Sequence, residues 1–299
     1  MNFELKMPED SLFLRTRLPE ATLKDGLVDL YQSSYFVKSF ALKEASLACD
    51  MGLEVSQLPE DSLKTGFHPS HLSFENVDFQ IDSVYYCGRD IRASIARFDW
   101  KERSGLELVS TEGRILADNR VIRIPSLKLK TTDSFFDLQT EIGWDVLEME
   151  RFGTLSARLM AEIGKGDVVK MAGRMEPEFV KSYPAEPLRI RAGAEGDLDR
   201  LHLRTFSAEL PGAFSLNAEG NLLHLSDSLR RGGEMELKAK SKNMRFLKLL
   251  TDGSVDILDG TTLEGIFTMA GERMGTDLLL KQPQAQALTL VDSTRLTVH

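Results

Sequence analysis

At 299 residues, 42% hydrophobic and 28% charged, with a formal net charge of −9, the chain has the composition of a folded globular protein, which argues against disorder. An acidic balance without a dense Lys/Arg cluster supplies no positive field for a phosphate backbone, which argues against nucleic acid as a partner. No run reaches the roughly 18 apolar residues of a membrane span, and the opening MNFELKMPEDS lacks the basic and apolar regions of a secretion signal.

In chain order, LKDGLVDLYQ (23–32) is predicted to be a short helix and residues 36–42 a strand. FHPSH (67–71) reads as a polar turn around Pro69 and Ser70. His68 and His71 have a spacing two metal ligands could use, but no Cys or carboxylate follows at ligand spacing. In VDFQIDSVYYC (77–87), Val77, Phe79 and Ile81 alternate with Asp78, Gln80 and Asp82, so an extended strand carries one apolar and one wet face. Just upstream, LSFENVDF changes parity between Phe74 and Val77, which predicts a bulge that keeps one face apolar.

Further strands are predicted near 91–100, 105–110 and 121–130. The last contains RIPSLKLK, whose apolar positions slip from Ile122 and Ile124 to Leu127 and Leu129, with Pro125 favouring an edge or a bulge because it lacks a ladder donor. FFDLQTEIGW (135–144) aligns Phe136, Leu138, Thr140, Ile142 and Trp144 against Asp137, Gln139 and Glu141. Strands near 154–162, 201–218, 266–270 and 285–298 follow, together with MELKAK (235–240), where Met235, Leu237 and Ala239 share a face.

Helix is scarce: KGDVVKMAGRM (165–175), reaching toward Tyr183, and SKNMRFLKLLTDG (241–253), with Ser241 as cap and Gly253 as stop. A short pattern recurs in TEGRI (111–115), AEGDL (194–198), AEGNL (218–222) and LEGIF (263–267). Gly inside a strand pattern implies a bend or a close backbone approach. The four segments read as a degenerate repeat, or else as four unrelated strand-entry glycines. Cys49 and Cys87 define neither a disulfide scaffold nor a metal site; free thiols are expected, with a bridge as the alternative.

No enzyme, cofactor or metal is expected, because GxSxG, Walker, GxGxxG and HExxH signatures do not occur. GKGD (164–167) reads as a plain helix entry, and the carboxylates of DWKE (99–102) and DLD (197–199) as solvated faces. The open question is what covers the apolar face, since so few helical residues cannot. A second sheet, another subunit or lipid would each serve. At about 0.8 kcal/mol per methylene, a sixteen-carbon acyl chain drawn onto such a face gains on the order of 12 kcal/mol.

The run from LSFENVDFQIDSVYYC through RVIRIPSLKLKTTDSFFDLQTEIGW (72–144), LSARLMAEIGKGDVV (155–169) and AEGDLDRLHLRTFSAELPGAFSLNAEGNLLHLSD (194–227) resembles the AsmA-like and TamB family of envelope proteins. The most telling pieces are the Glu-Gly strand entries, RVIRIPSLKLKTTDS and LPGAFSLNAEGNL. The resemblance implies a mainly β fold, an elongated, curved antiparallel sheet forming an open, taco-like β-groove with two or three short helices. On this reading residues 1–150 form a first groove segment and 151–299 a second with short helices, or the two are one continuous domain.

It also implies a periplasmic location in the cell envelope, a parent protein anchored in the inner membrane, phospholipid or another acyl-chain lipid as cargo, and a BamA-like outer-membrane barrel as partner. The family's anchor helix and C-terminal domain find no match here, so the chain would be an interior segment. Groove-lining positions would be Phe74, Val77, Phe79, Ile81, Ile91, Ile95, Ile122, Ile124, Leu127, Leu129, Leu138, Ile142, Met235 and Leu237. The rival reading is a non-transporting β scaffold or chaperone that assists outer-membrane protein assembly and captures strands by backbone hydrogen bonds.

Overall fold

The computed structural model describes residues 2–7, 12–51, 66–149, 152–172, 177–251, 254, 257–271, 273–281 and 294–298. Its strands are β1 (Asn2–Met7), β2 (Leu12–Arg17), β3 (Glu20–Asp29), β4 (Ser34–Met51), β5 (His71–Cys87), β6 (Asp90–Glu102), β7 (Glu107–Ala117), β8 (Val121–Thr131) and β9 (Phe135–Gly143). They continue with β10 (Leu155–Ile163), β11 (Leu188–Gly196), β12 (Arg200–Leu210), β13 (Phe214–Leu223), β14 (Gly232–Ser241), β15 (Thr262–Ala270), β16 (Arg273–Lys281) and β17 (Thr294–Val298). The helices are α1 (Trp144–Leu147), α2 (Lys165–Met171), α3 (Pro177–Ser182) and α4 (Arg245–Leu250). The fold class is therefore mainly β with short helices. The chain divides into unit 1 (Met1–Asn119, Ile124–Asp137 and Gly166–Met175) and unit 2 (Arg120–Arg123, Leu138–Lys165 and Glu176–His299).

In unit 1 the long strand β4 carries β3 along its first half, from Asp29↔Ser34 to Glu20↔Lys43, and β2 along its second, from Arg17↔Ser46 to Leu12↔Met51. On its other side β5, β6 and β7 pair antiparallel in turn. The bulge predicted in LSFENVDF is present: the β5–β6 register shifts between Glu75 and Asp78, and Asn76 takes φ 51. Facing it, β4 shifts around Ala45 with Glu44 at φ 52, and the Glu44 amide donates to Asp78 Oδ1 at 2.8 Å. Two left-handed residues on adjacent strands let the alternation restart with Ala45 opposite Val77.

The predicted helix at 23–32 is instead β3 and its turn into β4. Leu23, Leu27, Leu30 and Tyr31 have helical spacing, but they are 61%, 66%, 82% and 97% exposed, so a helix there would bury nothing. Pairing with β4 satisfies the backbone instead, and Asp29 Oδ1 closes the turn by accepting the Tyr31 and Gln32 amides.

Helix α2 confirms GKGD as a helix entry. Its Asp167, 2% exposed, accepts hydrogen bonds from the Thr131 and Ser134 hydroxyls, and the Lys170 ammonium lies 3.5 Å from its other oxygen. Burial pushes this carboxyl up, but the two hydroxyls, Lys170 and the Asp133 amide outweigh it and hold the group below the usual carboxylate range. The native state therefore binds its proton less readily than the unfolded chain, so the contribution is complete above the unfolded value and fades as pH falls below about 4. Asp167→Ala should cost about 1–3 kcal/mol at neutral pH and flatten the acid limb of stability. Urea midpoints measured against pH for both proteins check this.

In unit 2, β10 to β17 pair antiparallel in sequence order. The stretch predicted as strand near 201–218 is two strands, β12 and β13, turned at Gly212 (φ 81). For the strand predicted near 285–298, residues 282–293 lie outside the described residues and β17 occupies Thr294–Val298.

The helix expected from 165 toward 183 is two, α2 and α3. Ser241 ends β14 and does not cap α4; its Oγ donates to the Leu258 carbonyl at 2.7 Å, and Met244 stands at the cap without a side-chain bond. Helices α3 and α4 pack against each other: Tyr183, just after α3, holds its ring 5.7 Å from Phe179 and 5.2 Å from Phe246, all three buried. Lys165 Nζ fixes the end of α3 through the Tyr183 carbonyl at 2.7 Å.

Candidate functional site

Alternation along a strand places every second side chain on one face, and the cross-strand register decides which of them become neighbours. In unit 2 the register builds continuous rows. Leu159, Ala192, Phe206, Ala218, Leu237, Gly265 and Leu278 stand opposite one another from β10 to β16. A parallel row runs Ala157, Ala194, Leu203, Gly220, Met235, Phe267 and Thr276, and another Ala161, Ile190, Ala208, Leu216, Ala239, Leu263 and Leu280. Register shifts between Gly193 and Ala194 and between Leu203 and Phe206 keep the rows unbroken where the strand period would carry them to the other face.

Large and small residues alternate along the first row. Gly265 of this row and Gly220 of the second are glycines of the Glu-Gly pattern: a Cβ on Gly220 would approach the Glu234 carbonyl oxygen, and one on Gly265 the Asp277 carbonyl oxygen, closer than the 3.0 Å that real Cβ atoms respect. This is the close backbone approach the pattern predicts. In unit 1 Gly113 of TEGRI plays a related part, since its missing Cβ leaves room for the Leu127 side chain.

In unit 1 the predicted positions meet across strands. Phe79 lies opposite Leu42 and Phe98, with its ring 5.8 Å from that of Phe98 and 6.5 Å from that of Phe40. Ile81 faces Ile95, which faces Gly113 and so continues to Leu127. Val77 pairs with Ala45, Phe74 stacks edge-on against Trp100 at 4.9 Å, and Ile91 sits between Tyr86 and Ala117. Met235 and Leu237 join the rows of unit 2, while Ile122, Ile124, Leu129, Leu138 and Ile142 lie on β8 and β9. All fourteen are half-buried: none is in the fully buried class and none is exposed. Sequence reading missed Phe40, Leu42, Phe98 and Trp100, and most of the unit 2 face, because membership depends on register across bulges and not on alternation within one segment.

The opposite face is charged and internally paired. Arg97 reaches Asp99 and Asp78, which raise its pKa, and Arg204 pairs with Glu195, Arg123 with Glu141, and Lys238 with Glu236. The Ser39 hydroxyl and the Gln80 amide hold Asp82 below the usual carboxylate range.

The carboxylates singled out in the sequence, and His71, have structural partners, whereas the buried Nε2 of His68 has no hydrogen-bond partner among the described residues. Glu102 is not on a solvated face: it is 2% exposed and accepts the Ser104 amide at 2.6 Å. Asp197 accepts the Asp199 and Arg200 amides, and Asp199 lies 2.7 Å from His224. His68 and His71 belong to a turn in which the His71 amide donates to the His68 carbonyl; His71 Nδ1 lies 3.3 Å from buried Asp50, which also receives Arg15. Cys49 and Cys87 are free, half-buried thiols.

Comparison of the chain with family models, curated proteins and solved structures finds no match. Fold and face together define a class: a mainly β protein that presents, in each unit, an apolar sheet face of half-buried side chains backed by a charge-paired outer face.

Proposed function

We propose that this chain carries phospholipid or another acyl-chain lipid on its apolar sheet faces, as an interior segment of an AsmA-like or TamB-like envelope protein that moves lipid between inner and outer membrane. The observation that carries the reading is the set of in-register apolar rows whose large side chains, Leu159, Phe206, Leu237, Leu278, Met235 and Phe267 among them, are half-buried, with Leu280 41% exposed at the end of one row and Ala161 and Ala208 the members that are fully buried. Side chains of this kind have hydrophobic free energy still to gain, roughly 25 cal/mol for each Å² of apolar surface that a ligand removes from water. A hydrocarbon chain can take that gain anywhere along a row without needing a hydrogen bond. A peptide laid on the same face would leave its amides unpaired and would seek a sheet edge instead. In this reading the chain works in the periplasm, the parent protein is anchored in the inner membrane, and a BamA-like barrel receives it at the outer membrane.

The test is extraction of the purified chain followed by mass spectrometry. Phospholipid is expected at a fixed molar ratio to protein. A chain that purifies empty and takes up no lipid from vesicles contradicts the proposal, and crosslinks from row positions to peptide alone would favour the scaffold.

A further inference from the structure

We propose that the apolar face of unit 2 ends in a pocket that holds the methyl end of a single acyl chain, an inference that rests on the lipid-carrying reading above. The row Leu216, Ala239, Leu263 and Leu280 runs into a cavity of about 380 Å³, completed by Phe214 beside the row and by Met244 and Ile257. That volume lies at the lower end of the range for small-ligand sites.

Its chemistry narrows the occupant to hydrocarbon. Ser215 and Lys240 also border it, but they pair with each other one residue out of phase with Leu216 and Ala239 and so belong to the opposite face of the sheet. The other two hydroxyls are both committed, since Ser241 Oγ and Thr261 Oγ1 each donate to the Leu258 carbonyl at 2.7 Å. Nearby backbone is likewise engaged, with the Ser241 amide on the Thr261 carbonyl at 2.8 Å and the Gly260 amide on the Ser241 carbonyl at 3.1 Å. A head group or peptide placed there would lose its hydrogen bonds to water without replacement, whereas a methyl terminus loses none. Met244 adds a flexible, polarizable side chain that fits chains of varying shape.

Dimensions agree. At about 3.3 Å per strand residue, Met235 lies some 13 Å along β14 from Ala239, close to half of the roughly 30 Å hydrocarbon core of a bilayer. A chain with its end in the pocket therefore reaches the Met235 row with its carboxyl half.

The full chain, with its methionine methyls isotopically labelled for NMR, is titrated with stearate carrying a nitroxide near the methyl end or near the carboxyl end. The methyl-end probe is expected to broaden the Met244 methyl selectively, and the carboxyl-end probe Met235 or Met269. Ala239→Phe fills the pocket and displaces about three methylenes, each worth roughly fourfold in affinity, so stearate should bind about fiftyfold more weakly and the Met244 broadening should disappear. If wild-type protein binds both probes and Met244 is untouched, the pocket assignment is wrong and lipid carriage survives. If wild-type protein binds neither probe, both fail.

Discussion

Gly265→Val is expected to destabilise unit 2 by about 3 kcal/mol or more, enough to populate unfolded protein at moderate temperature. Gly265 sits at φ +157 between Leu237 and Leu278, and an added Cβ would press into the Asp277 carbonyl carbon and oxygen and the Leu278 Cα. These are backbone atoms held by the β15–β16 ladder, so no side chain can swing aside. Relief requires the strands to part, breaking ladder hydrogen bonds and the row that crosses them. Gly105→Ala is the contrasting case. Gly105 has φ +86, but nothing lies within 4 Å of its missing Cβ, so only the conformational cost of about 1 kcal/mol applies. Thermal melts of both variants separate steric approach from backbone strain; equal shifts would mean that the Glu-Gly positions are ordinary strand glycines.

This contrast also marks how far the sequence could be read. Alternation in 77–87, 135–144 and 235–240 was enough to place β5, β9 and β14, and the parity slip between Phe74 and Val77 was enough to place a bulge. Those features depend on one strand alone. The stretch 23–32 misled because four apolar residues at helical spacing look the same whether a core receives them or, as here, solvent does. The rows of unit 2 were legible only in fragments. Whether Phe206 or Leu203 continues a row depends on which residues of β11 and β13 lie opposite, and that follows from shifts at Gly193 and Leu203 that no single strand reveals. Glu102 misled for a related reason: its burial comes from a turn that folds amides back onto its carboxylate, a contact across strands and not a property of the DWKE segment.

Phe79→Arg and Leu138→Arg should each reduce the lipid recovered with the protein by about a hundredfold while leaving it folded. The size follows from the cost of placing a cation against acyl chains, about 2.5–3.5 kcal/mol at each tenfold per 1.4 kcal/mol. Folding should suffer little, because both positions are half-buried. At Phe79 the loss is edge-on ring contact with Phe98 and Phe40, about 0.5–1.5 kcal/mol per pair, partly offset by the arginine stem lying along the row with its head in water. Leu210→Arg sets the scale for a true core: Leu210 is 1% exposed, and a guanidinium there has neither water nor a partner, so unit 2 should unfold. Lipid yield and melting temperature measured on the same three preparations give the decisive pattern. A dry interior at Phe79 and Leu138 would make their variants melt like Leu210→Arg, whereas a surface that meets lipid makes them stable and empty.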